Sequence, residues 1–420
     1  HRDLPAGCAR PASPAGPGLV RPAYGGYCFA GLPATLLSLF GLPAQNPLPA
    51  AALPAARARR VVLVLLDAFG WSLFERWADQ APLLRRLLAE GVVSQLTAQF
   101  PSTTAAHLTC LHSGQPVGQS GVFEWFYYEP EVDAVIAPLL YSFAGDTERD
   151  RLARFGVRPE ALFPPPLYPR LAAAGVTSFV FQLRDYARSA YSRWITRGAH
   201  VAPYATLPEA LANLELRLER APAPAYFLLY VDALDTHSHH YGPGSRQVEA
   251  EARAVFRLLG DFMDDCRRRF PDTLLLVTAD HGQVAADPAG TLYLNQRVPE
   301  LRRWLRPDRR GRPLLFGGSA RDMFLYVQDR HLEEAQARLS ADLAGQARVQ
   351  PTVALLDQGL FGPAPVADRL RERLGNLAVL PEGEQIVYWL EPGRFEQKLR
   401  GHHGGLTPAE MLIPFMACEL

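Results

Sequence analysis

The sequence predicts an α/β fold: a doubly wound, mostly parallel sheet with helices on both faces, and a small α+β cap inserted late in the chain. Short runs that are apolar at nearly every position, "VVLVLL" (61–66), "TSFVFQ" (177–182), "AYFLLYV" (225–231) and "TLLLVT" (273–278), alternate with stretches of helical period at 72–90, 207–219 and 246–269. Strands without polar alternation are buried on both sides, the condition of a parallel sheet covered by crossover helices. Three of the runs also end in acid: Asp67 after the first, Asp232 and Asp235 after the third, Asp280 with His281 after the fourth. Ligands of open α/β sheets bind beyond the carboxyl ends of the strands, so these carboxylates are aimed at one rim.

Taken in order, residues 1–56 are rich in Pro and Ala and carry one short amphipathic patch, "LPATLLSLFGLP", which predicts a helical arm packed on the body. The strand–helix alternation then defines an α/β core over 57–289, completed by 396–420. Between the two lies 290–395, where "DMFLYVQ", "LEEAQARLSADLAG" and "QIVYWLEPG" predict a strand–helix–strand cap. Substrate choice is expected in this cap and in the loop 121–145.

Composition narrows the class of function. Forty-three basic residues balance 43 acidic ones, so there is no net field to draw the chain onto nucleic acid or an anionic membrane, and any affinity for phosphate must be local. The five cysteines, Cys8, Cys28, Cys110, Cys266 and Cys418, are scattered and form no C-x-x-C, which predicts reduced thiols and no thiolate zinc site. No apolar run reaches the length of a membrane span. A cytoplasmic location is the expectation, with export after loss of a signal peptide as the alternative.

The chemistry lies in five separated motifs. Asp67 closes a buried strand in "VLLDAFGW"; by itself it would be a strand-end residue capping the next helix. Asp280-His281 in "VTADHG" places a carboxylate and an imidazole side by side before a glycine, an arrangement that packing does not require. In "DTHSHHYGP" an Asp is followed four residues later by a His in a turn stopped by Gly-Pro, so Asp235 and His239 can converge on one cation, leaving His237 and His240 as polar surface residues. "RGHHGGLTPAE" offers His402 or His403, and its paired glycines allow close backbone approach to metal or substrate. "FPSTTAAHLTCLHSG" places Thr103 and Thr104 at a helix start, where a hydroxyl meets free N–H groups and the helix dipole.

In the order Asp, Thr, Asp-x-x-x-His, Asp-His-Gly, His-Gly, these motifs resemble the alkaline phosphatase superfamily, and within it the type I phosphodiesterase/nucleotide pyrophosphatase branch. "FPSTT" is similar to that branch's Phe-Pro-Ser/Thr-x-Thr and "DTHSHHYGP" to its Asp-x-x-x-His-x-Tyr-Gly-Pro. The resemblance implies an alkaline phosphatase-like core, Thr104 as the nucleophile passing through a phosphothreonine intermediate, and two zinc ions, manganese being a second fit. It places one ion on Asp67, Thr104, Asp280 and His281, and the other on Asp235, His239 and His403. Where the branch carries an Asn for a phosphoryl oxygen, this chain reads "GVFEWFYYEPE"; Glu124 and Trp125, with Tyr241, are the substrate-binding candidates.

The function these features predict is hydrolysis of a phosphoric diester, with a small-molecule phosphate ester, a nucleotide among the candidates, as the partner, and a monomer or homodimer as the assembly. The alternatives are a phosphomonoesterase or phosphonate hydrolase on the same residues, and a non-catalytic, metal-stabilised binding protein. A hydroxyl at a helix start beside an open ligand set argues against the last, because purely structural metal sites are closed.

Overall fold

The computed structural model describes residues 18–55 and 59–420; Cys8 and the first Pro-rich stretch lie outside them. Its centre is a seven-stranded sheet of β1 (Arg60–Leu66), β2 (Val92–Thr97), β3 (Thr177–Leu183), β4 (His200–Tyr204), β5 (Ala225–Val231), β6 (Thr273–Thr278) and β7 (Leu412–Glu419). The spatial order is β2-β7-β6-β1-β5-β3-β4, and β7 alone runs against its neighbours. Every residue of β5 and β6, and all of β1 after Arg60, is buried, so both side-chain faces of the central strands are covered.

The helices used below are α1 (Leu32–Leu39), α2 (Trp71–Trp77), α3 (Pro82–Glu90), α4 (Thr104–Ser113), α5 (Leu207–Arg220), α6 (Ala233–Tyr241) and α7 (Arg246–Arg269). The single helix expected over 72–90 is two: Ala81 is extended ahead of Pro82, whose ring disfavours a helical residue before it, and Pro82 then opens α3. In α7 the buried residues Val248, Ala252, Val255, Phe256, Leu259, Phe262, Met263 and Cys266 recur at helical spacing and lay one stripe on the core, in contact with α3 and α5. Residues 18–55 pack on the body: α1 contacts α4, and Phe29 meets the His107 ring edge-on at 4.8 Å. Cys28, Cys110, Cys266 and Cys418 are buried and free.

The later segment is richer in strands than a strand–helix–strand unit. Gly317–Gly318, Met323–Leu325, Leu377–Pro381 and Ala347–Pro351 form an antiparallel sheet in that spatial order, with the helix Leu332–Asp342 against Ala347–Pro351. The "QIVYWL" run is not one of its strands; only Val387–Tyr388 pairs, with Leu292–Tyr293. Two buried ion pairs tie this segment to the rest. Arg321 grips Glu410 through Nε and Nη2, each at 2.9 Å, and Arg373 binds Glu129. The loop 121–145 joins the same core: it folds as a three-stranded sheet, and Phe126 pairs with Gly318. No helix among the described residues is long and apolar enough to cross a membrane.

Candidate metal centre and active site

Two neighbouring strands, β1 and β6, deliver the first group of candidate ligands, with β5 beside them. β6, β1 and β5 lie side by side, and Asp280, Asp67 and Asp232 follow their carboxyl ends. Asp67 and Asp280 are buried, and each keeps one oxygen, Oδ1 and Oδ2 respectively, without a hydrogen-bond partner. The other oxygens are held: Tyr230 donates its hydroxyl to Asp67 Oδ2, and the amides of Ala68 and His281 donate to Asp280 Oδ1 at 3.2 and 2.9 Å. His281 Nε2 stands 3.4 Å from the free Asp67 oxygen and 3.5 Å from the free Asp280 oxygen. Buried, unpartnered carboxylate oxygens are costly alone, and a divalent cation between them and the imidazole removes that cost.

The second group stands on α6. The segment expected as a turn is helical, so Asp235 and His239, four residues apart, share one helix face, with His239 Nε2 3.4 Å from Asp235 Oδ1. His403, from the loop before β7, brings its Nε2 to 3.8 Å from the same oxygen. Ligand atoms of Asp67, Asp280 and His281 lie within 4.8 Å of one another, and so do those of Asp235, His281 and His403. His281 thus borders both groups, where the resemblance gave it to one.

Backbone carbonyls set the tautomers. Nδ1 of His281, His239 and His403 faces the carbonyls of Gly282, Gly401 and Ser102 at 3.1, 2.7 and 2.9 Å. A carbonyl only accepts, so each Nδ1 carries the proton and each Nε2 presents a lone pair inward, as metal-binding histidines do. Burial acts in the same direction on charge. It drives the pKa of His281 well down and that of His403 to about 4, and neighbouring imidazoles lower both further, so these rings are neutral. Burial, helped by the crowded carboxylates, pushes Asp67 well up and Asp280 to about 7, the mark of a site that lacks positive charge. Mixed carboxylate and imidazole donors of this kind fit zinc or manganese.

Thr103 and Thr104 divide their labour at the start of α4. Thr103 is the N-cap: its Oγ1 accepts from Ala106 N and donates to the Phe123 carbonyl at 2.9 Å. Thr104 is thereby free to turn inward, with Oγ1 3.1 Å from His281 Nε2 and 3.5 Å from Asp67 Oδ2. His107, three residues on, locks the approach to the helix. Its Nδ1 donates to the Thr103 carbonyl at 2.7 Å and its Nε2 accepts from Gln99 N at 2.8 Å, while burial lowers its pKa to about 3.

These residues open onto a cavity of about 410 Å³ lined by Thr104, Asp67, Asp235 and His403 together with rings such as Trp125, Tyr186 and Tyr388. Trp125 is 41% exposed and faces this space. Glu124 lies at its edge but is buried, near Asp322 and Ser319, and burial pushes its carboxyl up to about 7. A protonated Glu124 presents no charge to an incoming phosphate.

Tyr241 is not brought to this cavity. It stands two residues past His239 on a helix, which rotates it away from the Asp235–His239 face; it is 51% exposed and stacks near His237. His237 and His240 bond their own helix through Nδ1, to the Ala233 and Thr236 carbonyls. His402 lines the cavity but turns its Nε2 to the Leu399 carbonyl at 3.2 Å, so His403 is the one that meets Asp235. Nor do the paired glycines approach a ligand directly: a Cβ on Gly404, at φ +124°, would fall 2.5 Å from Asp322 Oδ1, and one on Gly405 2.8 Å from Glu410 Oε2. They are needed where the loop presses against the cap and the buried ion pair.

Sequence reading missed the residues that brace the candidate ligands. Tyr230 on β5 braces Asp67, and Gln283 donates through Nε2 to Asp235 Oδ1 at 2.5 Å. Asp232, at the end of β5, joins neither ligand group; its Oδ2 accepts the Tyr186 hydroxyl at 2.7 Å. A tyrosine in an apolar strand and a glutamine after "DHG" carry no distinguishing pattern, although "DHGQ" put Gln283 two residues from a candidate ligand.

Comparison with known proteins gives a consistent answer. The profile of the type I phosphodiesterase / nucleotide pyrophosphatase family matches residues 61–405. Venom phosphodiesterase CdcPDE of Crotalus durissus collilineatus is 25% identical over 226 residues, covering 53% of this chain and 26% of its own length. Venom phosphodiesterase 2 of Crotalus adamanteus is 24% identical over the same coverage. The matched stretch therefore spans about a quarter of these curated relatives. Among solved structures, murine ectonucleotide pyrophosphatase / phosphodiesterase 5 superimposes with a TM-score of 0.62 at 16% identity, covering 85% of this chain and 87% of that one. An inactive threonine-to-alanine variant of the murine protein is known in complex with AMP. Phosphonoacetate hydrolase of Sinorhizobium meliloti gives 0.61 at 17% identity, covering 87% and 91%. At these identities the structures establish the shared fold.

Proposed function

Because this chain belongs to the type I phosphodiesterase / nucleotide pyrophosphatase family, we propose that it hydrolyses phosphoric diesters with Thr104 as nucleophile and two divalent metal ions, zinc in the first place. The observation that carries the reading is the convergence of Thr104 Oγ1, His281 Nε2 and the free oxygens of Asp67 and Asp280 at the mouth of one cavity. Asp67, Asp280 and His281 with Thr104 would hold one ion, and Asp235, His239 and His403 the other. Such ions supply Lewis-acid polarisation of phosphoryl oxygens and lower the pKa of a bound hydroxyl.

The chain's own groups do the rest. Thr104 Oγ1 would give up its proton and form the bond to phosphorus as the bond to the leaving oxygen breaks, the proton ending on the released alcohol; water then adds to phosphorus, the P–Oγ1 bond breaks, and one proton of that water restores the hydroxyl. The first two amides of α4, at Thr104 and Ala105, have no carbonyl within the helix, and the cap takes only Ala106, so they are free to donate to the charge that builds on the phosphoryl oxygens. Tyr230 keeps Asp67 oriented, and Gln283 does the same for Asp235. The rings of Trp125, Tyr186 and Tyr388 form a surface on which a flat group can stack, which supports a nucleotide or aryl ester as the substrate class.

The test is the hydrolysis of bis-p-nitrophenyl phosphate against p-nitrophenyl phosphate by zinc-loaded protein, with a chelated control. Faster cleavage of the diester, abolished by the chelator and restored by zinc, is the expected result. A monoester preference would move the chain to the phosphatase reading, and loss of thermal stability without any turnover would support a binding protein.

A further inference from the structure

We propose that Arg149 is a specificity residue that receives a second anionic group of the substrate, a phosphate or a carboxylate carried beyond the scissile phosphorus; this rests on the phosphodiester reading above. Arg149 is the one lysine or arginine among the described residues that line the cavity. No carboxylate of the described residues forms an ion pair with it. Its guanidinium lies over the Tyr186 ring, 5.1 Å from the centroid, and Tyr186 in turn donates its hydroxyl to Asp232 Oδ2 at 2.7 Å. Asp232 immediately precedes α6, the helix that bears Asp235 and His239. The cation and the ligand groups thus face one cavity across a short chain of contacts.

The loop that carries Arg149 is held in place. Asp150 takes a left-handed conformation, φ +60°, and its Oδ1 accepts the Ala190 amide at 2.8 Å. Asp150 N donates to the Leu140 carbonyl at 2.9 Å and Leu152 N to the Tyr141 carbonyl at 3.0 Å. A guanidinium stacked on a ring and mounted on a pinned loop loses little freedom when it binds an anion. The cavity that holds both Arg149 and Thr104 is lined mainly by apolar and aromatic side chains, Leu139, Leu140 and Trp125 among them. An ester that joins a flat or apolar group to a second charge matches this lining.

The test is calorimetric binding to zinc-loaded Thr104→Ala protein, which does not depend on turnover. The probes are two pairs: AMP against ADP, and phenyl phosphate against 4-carboxyphenyl phosphate. The ligand with the extra anion should bind about tenfold or more tightly in at least one pair. Arg149→Met should erase that advantage and Arg149→Lys should keep part of it, whereas Arg158→Met, outside the cavity, should leave it intact. An advantage in the first pair identifies a phosphate and in the second a carboxylate. No advantage in either pair, or one that survives Arg149→Met, overturns the proposal. Failure of the Thr104-intact enzyme to cleave any diester would instead overturn the function proposed above.

Discussion

The imidazoles of His281 and His403 stack face to face, their centroids 3.7 Å apart and their planes 15° from parallel. One follows β6 and the other precedes β7, so the contact joins two segments far apart in sequence over the carboxyl rim of the sheet. Two protonated rings would repel at this distance, and burial has already lowered both pKa values, so both present neutral Nε2 atoms.

Because His281 borders both ligand groups, it should matter more than a ligand that serves one. The His281→Ala protein is expected to hold less than one equivalent of zinc after gel filtration, and His239→Ala to keep close to one. Zinc content measured by atomic emission checks this; equal losses in the two variants would mean that His281 serves a single ion.

Tyr230 lines the cavity and donates its hydroxyl to Asp67 Oδ2. Removing the hydroxyl frees that oxygen to rotate without changing the ligand count. Tyr230→Phe should therefore weaken zinc binding roughly 10–100-fold and leave the fold in place, as read by competition with a chromophoric chelator and by thermal melting.

Glu124 gives a pH prediction of defined sign. Its folded pKa is raised to about 7, so between the unfolded value and that point the native state binds more protons than the unfolded state. Stability must then fall as pH rises through this window. Glu124→Gln removes this contribution, so the variant should gain in Tm over the parent as pH goes from about 4.5 to about 7. Melting of both metal-free proteins across that range checks it; a constant offset would show that Glu124 does not titrate there.

Arg321 and Glu410 are both fully buried, and Glu410 also accepts from Thr407 Oγ1 at 2.6 Å and Gly405 N at 2.9 Å. Arg321→Met leaves that carboxylate without its counterion and should cost about 3–5 kcal/mol. The double variant Arg321→Met/Glu410→Leu should recover much of the loss in denaturant unfolding; no recovery would place the effect elsewhere.

The central strands and the ligand motifs were legible because each is local. Runs such as "VVLVLL" and "AYFLLYV" declare burial on both faces, and "ADHG" or "DTHSH" keep their donors within a few residues. Less was visible where structure depends on distant partners. β7 contains Pro414, which reads as a breaker, yet Pro414 lies one residue past the last pair with β6. The cap strand Ala347–Pro351 has mixed polarity and Leu377–Pro381 is a short apolar run ended by proline; they pair only with each other and their own neighbours. At the site, the Asp235–His239 spacing reads as a turn where the chain is helical; the helix puts these two on one face and turns Tyr241 off it. Arg149 carried no pattern at all; only the folded cavity gives it meaning.

The most direct test of the central claim is an acid quench of zinc-loaded enzyme during turnover of bis-p-nitrophenyl phosphate, followed by peptide mass mapping. The account predicts a p-nitrophenyl phosphoryl adduct on the hydroxyl of Thr104. An adduct on Ser102, Thr103 or any other residue would contradict it.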